Sequence, residues 1–272
     1  MKLILLLIAG YIFYGLFDLK ALGILVALSL ITYCGGKIAY SYKEKNDNAA
    51  KYISAAFIIF EIAVLCFFKY SGLFPMPVGM SFYMLMAIGF IADCANARFD
   101  KMPTVTQTLV YISFFPTVIS GPILKAKDFI PQLSKKITFT KDRLYSFMTM
   151  FAVGAFFKLV MADRLSVAVD KVYATPLAFS GMTLFFTSVT YTLQLYFDFA
   201  GYSYMAIAAA TLLGLILHRT LISRILQRIR RNFGEDGISA CRSGSEIMYI
   251  FLSAEAVRGI LEHTSIFFLL WS

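Results

Sequence analysis

The chain has 272 residues, 59% of them hydrophobic and only 15% charged, and its mean hydropathy is +0.73. No soluble core needs that much apolar chain, so the composition excludes an ordinary soluble domain. The net charge of +9 implies no nucleic acid partner, because the basic residues flank apolar segments, where they meet anionic lipid headgroups, and no aromatic and basic stripe marks a binding face.

In chain order, charge-poor stretches cover residues 3–17, 21–35, 52–68 (interrupted by Glu61), 70–92, 102–124, 144–157 and 172–217. Their lengths predict an all-α, polytopic membrane protein with about seven or eight hydrophobic helical segments. The opening MKLILLLIAGYIFYG imitates a signal peptide, but it lacks a small-residue cleavage site and runs almost directly into a second apolar segment. It reads as retained.

Loop charge sets an orientation. Lys37, Lys43, Lys45 and Lys51 outweigh Glu44 and Asp47, which places that loop in the cytoplasm, and two later spans return the chain there near Arg98 and Lys101. The next loop carries Lys125, Lys127, Lys135, Lys136, Lys141 and Arg143, so a full crossing by residues 102–124 would leave six basic residues outside. That segment also holds Pro103, Pro116, Gly121 and Pro122, which suit a broken, re-entrant backbone lining a protein-enclosed cavity.

Asp198 is the one charge in the apolar stretch 181–217, which is long enough for two short spans. A carboxylate at membrane depth is costly and marks a candidate functional site. Cys34, Cys66, Cys94 and Cys241 lack metal-ligand spacing and read as buried thiols. Neither G-x-S-x-G, H-E-x-x-H, G-x-G-x-x-G nor a Walker A string occurs, so nucleophile-elbow hydrolases, zincins and dinucleotide sites find no support.

The residues around Asp198, QLYFDFAGYSYMAI, resemble a signature of the membrane-bound O-acyltransferase family, in the bacterial branch that includes alginate O-acetyltransferases and the D-alanyl transfer protein of teichoic acids. Three further blocks follow that branch's order: PVGMSFYMLMAIGFIADCANARF from Pro77, YISFFPTVISGPILKAKDFIPQL from Tyr111, and the looser FKLVMADRLSVAVD from Phe157. The resemblance runs from about Leu7 to Leu215. It implies acyl transfer, of acetyl above all, from acyl-CoA or an acyl carrier protein onto hydroxyls of a cell-surface polymer. No further cofactor is implied, the site is the bacterial inner membrane, and a buried histidine serves as general base beside a dry tunnel that holds the donor.

Carried onto this chain, the resemblance implies tunnel or substrate-binding walls at Pro77, Gly79, Ser81, Phe82, Tyr83, Gly121, Pro122, Asp198, Tyr202 and Ser203, with Phe114 and Phe115 alongside. The aromatic residues among them also suit plain helix packing. Tyr204 departs from the aspartate usual at its place in the signature.

Residues 216–272 are a different kind of sequence. All 15 lysines lie at or before Lys171, whereas seven of the ten arginines follow Leu215, which suggests different codons rather than a different domain. Where the family has a block like EFWRRWHIS, followed by WFRDYVYIPLGGS, this chain reads LISRILQRIRRNFGEDGISACRSGSEIMYIFLSAEA. Residues 231–238 can be coded CGG AAT TTT GGA GAA GAT GGC ATA, and reading from the third base, into the first two of the next codon, gives EFWRRWHI. The same offset applied to residues 243–256 yields WFRDYVYIPLGGS. The expectation is a membrane domain over 1–215 and an out-of-frame tail over 216–272. Ile222 to Arg231 of that tail could pass for a basic amphipathic surface helix.

On this reading the family's histidines are absent, no catalytic residue is assigned, and His218 and His263 sit where they do by accident of translation. The 272-residue chain is then inactive. A membrane transporter would also show broken helices and one intramembrane carboxylate, and a non-catalytic membrane scaffold would also lack the histidine.

Overall fold

The structure is a computed structural model and describes residues 2–43, 45–135 and 140–217. The tail with His218, His263 and Cys241 lies outside the described residues, as does Lys136. The described elements are α1 (Lys2–Gly15), α2 (Leu19–Lys43), α3 (Asp47–Tyr70), α4 (Met80–Ala95), α5 (Val105–Ile112), α6 (Ala126–Leu133), α7 (Lys141–Ala155), a π-helical run (Phe156–Ala162), α8 (Asp163–Ala174), a 3₁₀ turn (Pro176–Ala178) and α9 (Gly181–Leu212). No strand occurs among the described residues. Among the described residues three helical runs, Leu19–Lys43, Asp47–Tyr70 and Lys141–Ala174, are long and apolar enough to cross a membrane.

Local chemistry sets the boundaries. Asn46 caps α3 by accepting from the amides of Asn48 and Ala49, and Asp47 in the first turn complements the helix dipole. Thr104 and Gln107 close a reciprocal capping box that starts α5. The apolar stretch 70–92 does not continue as one helix, because Gly72 (φ 64°) and Gly79 (φ 73°) take left-handed conformations and Pro75 and Pro77 lack amide donors. Helix α4 therefore begins only at Met80.

Residues 102–124 are broken as well. The eight residues of α5 rise only about 12 Å at 1.5 Å per residue, far short of a bilayer core. The chain then turns through Phe114 and Thr117, whose carbonyls accept from the amides of Val118 and Gly121. Its polar groups are buried in protein: Thr108, Ser113 and Thr117 are each almost wholly covered.

The stretch 181–217, long enough for two spans, forms one helix instead. Nothing interrupts it, since Gly201 sits inside α9 as a packing contact rather than at a turn. The helix ends where the Leu215 amide donates to the Ala210 carbonyl (2.8 Å) and the Gly214 amide to that of Thr211 (3.0 Å), with Gly214 at φ 74°, a Schellman ending.

Helix α2 packs against α3 and α4, α5 against α1 and α6, and α9 against α7, the π-helical run and α8. The core between α1 and α6 centres on Tyr14, Leu25, Met80, Tyr83, Phe90, Tyr111, Phe114 and Phe129, and the end of α9 adds Ile207, Ala210 and Leu215. The Tyr111 hydroxyl donates to the Leu124 carbonyl at 2.7 Å, tying α5 to the segment that leads into α6. The Gln132 side chain clamps the Ile216 backbone, its amide donating to the carbonyl (3.1 Å) and its oxygen accepting from the N–H (2.8 Å).

The outer faces are apolar. Ile59, Phe60 and Phe67 of α3 and Leu144, Met148, Phe151, Leu159 and Val167 of the α7 to α8 run are exposed, which suits contact with lipid tails. Of the three described cysteines the expectation holds for Cys94 only, which is buried beneath α2. Cys34 and Cys66 are exposed, because each falls on a face of its helix that is turned away from the core.

Candidate functional site

The ten residues singled out from the sequence fall into two groups. The first is built where the start of α4 meets the turn after α5. A Cβ at Gly79 would lie 2.2 Å from the Val118 carbonyl oxygen and 2.8 Å from the Ile119 Cα, so only glycine permits this approach, and its left-handed φ demands glycine as well. Gly121 closes the same turn, where a Cβ would lie 2.4 Å from the Thr117 Cα. The Pro77 block and the Gly121 block, about forty residues apart in sequence, are thus held backbone to backbone. Pro77, Ser81, Tyr83, Gly121 and Pro122 are buried, while Gly79 and Phe82 are partly exposed.

Tyr14 of α1 joins this group. Its hydroxyl donates to the Val78 carbonyl at 2.7 Å, and its ring meets that of Tyr83 edge-on at 6.4 Å. The hydroxyls of Ser81 and Tyr83 are buried without a hydrogen-bond partner. An unpaired buried hydroxyl costs about 1–3 kcal/mol, so the group carries polar capacity that packing alone does not use.

The second group lies where the end of α7 and the π-helical run that follows it cross α9. Gly154 and Gly201 bring the two backbones together: a Cβ on Gly154 would lie 2.7 Å from the Gly201 carbonyl oxygen, and one on Gly201 would lie 2.8 Å from that of Gly154. At this crossing the Lys158 ammonium pairs with the Asp198 carboxylate and lies 3.3 Å from that of Asp163. The π-helical hydrogen bonding, in which the Asp163 amide donates to the Lys158 carbonyl, adds a residue to the turn and places Lys158 on the α9 side. Ser203 is buried and its hydroxyl has no partner; Tyr202 is partly buried. The Tyr204 ring packs edge-on to Phe157 at 5.8 Å.

Asp198 is therefore not alone. Its partner Lys158 lies inside a block visible in the sequence, but pairing across forty residues has no local signature. Two further buried carboxylates also went unassigned. Asp93 pairs with Arg98 at 2.9 Å and accepts from the Lys127 amide at 3.4 Å, fastening the end of α4 to α6. Glu61 is fully buried, with its Oε1 2.7 Å from the Thr32 hydroxyl oxygen. Among the described residues no three His, Cys, Asp or Glu side chains converge as metal ligands would.

The chain matches the model of the membrane-bound O-acyltransferase family over residues 6–251, past Leu215 and into the basic tail. Probable alginate O-acetylases from Azotobacter vinelandii and Pseudomonas fluorescens are 28% and 29% identical to it, each over 78% of this chain and over 46% and 43% of their own lengths. A peptidoglycan O-acetyltransferase from Helicobacter pylori is 25% identical over 74% of this chain and 46% of its own length. The chain thus spans about half the length of the curated relatives it matches. On the extent of the family match, the chain belongs to the membrane-bound O-acyltransferase family.

Proposed function

We propose that this chain is the membrane-embedded N-terminal portion of an O-acyltransferase that moves an acyl group, acetyl above all, from an acyl-CoA or acyl carrier protein onto hydroxyls of a cell-surface polymer. The observation that supports it most is the joining of two family-like blocks, Pro77 to Tyr83 and Gly121 to Pro122, around buried hydroxyls with no partner, in a chain whose relatives are named for acyl transfer to alginate, peptidoglycan and teichoic acid. In this reading the chain is a multi-pass protein of the bacterial inner membrane with seven or eight hydrophobic segments. Residues 102–124 enter and leave on the cytoplasmic side, in keeping with the short α5 and the basic loops on both flanks.

The 272-residue polypeptide is catalytically incomplete in this reading, because the histidine block of the family is written in a displaced frame after about Leu215. The recovered strings EFWRRWHI and WFRDYVYIPLGGS, both in one offset, support it. The gene sequence tests the frame: an inserted or deleted base within the codons for Gly214 to Leu217 is expected, and stop codons closing the alternate frame before Glu246 would refute it. Labelled acyl donor supplied to membranes tests the chemistry. The frame-restored chain should place alkali-labile label on polymer, and label confined to water-soluble hydrolysis products would overturn the assignment.

A further inference from the structure

Glu61 sits near the middle of α3, a helix long and apolar enough to cross a membrane, and its side chain has no exposure at all. It faces α2 and α4, which supply different groups. From α2, the Thr32 hydroxyl lies 2.7 Å from Oε1 and also 2.8 Å from the Leu28 carbonyl. From α4, the Tyr83 phenol lies within electrostatic reach of Glu61 and of the Tyr14 hydroxyl, and Glu61 Oε2 has no hydrogen-bond partner. Among the described residues no lysine or arginine pairs with Glu61.

Proton counting separates the two charge states. Threonine has one hydroxyl proton and two oxygens in range, and the carbonyl can only accept. If Thr32 donates back to Leu28, the usual habit of a helical threonine, its contact with Oε1 is complete only when Oε1 carries a proton of its own. If Glu61 is ionised instead, a full charge is buried with one shared donor, no counter-ion and one oxygen unserved, an arrangement that buried carboxylates do not survive. The neutral acid needs no more than the contacts present.

We propose that Glu61 is a proton-binding site inside the membrane-embedded unit, held as the carboxylic acid with its proton bridging Oε1 to Thr32. Its carbonyl oxygen Oε2 is left as an acceptor without a partner. The proposal does not rest on the frame reading, since every group in it belongs to α2, α3 or α4.

Infrared spectroscopy of the purified 272-residue chain in ester-free detergent at neutral pH tests this. A carbonyl stretch in the carboxylic-acid region, shifted by deuterium oxide and lost in Glu61→Gln, is the expected result. Loss of carboxylate bands in Glu61→Gln with no change in the acid region would overturn it. Should Glu61→Gln fail to fold, carbon-13 at the glutamate side-chain carboxyls assigns the acid band to glutamate in the unmutated chain, and its response to a change at Thr32 assigns it to Glu61. Thr32→Val should then move that band to higher frequency by removing its hydrogen bond, and an isotope-shifted carboxylate band with no acid band would refute the proposal.

Discussion

Lys158, placed by a π-helical turn, pairs with Asp198 in the middle of α9, and the same ammonium also reaches Asp163. The geometry makes the two partners unequal. Removing Asp198 leaves Lys158 its second carboxylate, whereas removing Lys158 leaves two carboxylates without a cation. Lys158→Met should therefore destabilise the protein more than Asp198→Asn does, by roughly 1–3 kcal/mol against less than about 1, between the ranges for buried and exposed pairs. Thermal unfolding followed by size-exclusion in detergent reads the order. Equal loss in the two variants would show that Asp163 takes no part.

The crossing of α9 with the end of α7 and the π-helical run depends on the absence of side chains at Gly154 and Gly201. Gly201→Ala puts a methyl against the Gly154 carbonyl oxygen and the Lys158 amide, both 2.8 Å from the new Cβ, and neither can yield without moving a helix. An overpacking cost of about 1–3 kcal/mol is expected. Gly89→Ala, where a Cβ would meet nothing within 4 Å, is the control and should leave the melting temperature unchanged or raise it. Unequal behaviour in that direction supports the close crossing; a stable Gly201→Ala would show that the helices stand further apart.

The basic loops around Asn46 and Ser134 bear on topology. In a chain freed of its four native cysteines, single cysteines at Asn46 and Ser134 should both resist a membrane-impermeant thiol reagent in intact cells and react once the membrane is opened. Labelling of Ser134→Cys alone in intact cells would show that residues 102–124 cross the membrane, and the re-entrant reading would fall.

Much of this arrangement could be read from the residues, and its failures have physical causes. The apolar composition of α2 and α3 made those helices legible, whereas the helix boundaries rest on the caps at Asn46 and Thr104 and the turns at Gly79 and Gly214, which hydropathy does not register. Hydropathy alone missed the break within 70–92 and the continuity of 181–212, because apolar length says nothing about whether a glycine turns the chain or packs against a neighbour. Asp198 stood out as a lone charge, yet its meaning depends on Lys158, forty residues earlier and rotated into place by a π-helical turn that no periodicity announces. Glu61 looked like an interruption in a span; only the packing of α2 and α4 around it reveals a group with its own hydrogen-bonding partner.

The central claim, a membrane O-acyltransferase whose catalytic block lies in a displaced frame, is met most directly by the acyl-ester content of surface polymers from cells expressing three genes. These are the gene for the 272-residue chain, the frame-restored gene, and the frame-restored gene with the histidine codon of EFWRRWHI changed to alanine. A proton acceptor beside the acceptor hydroxyl contributes about 10²- to 10⁴-fold in rate. Esters should therefore appear with the restored gene alone, in a host that supplies the donor and polymer. Esters made by the 272-residue chain in a strain unable to correct the frame would contradict the account, and Asp198 would then be the first residue to replace.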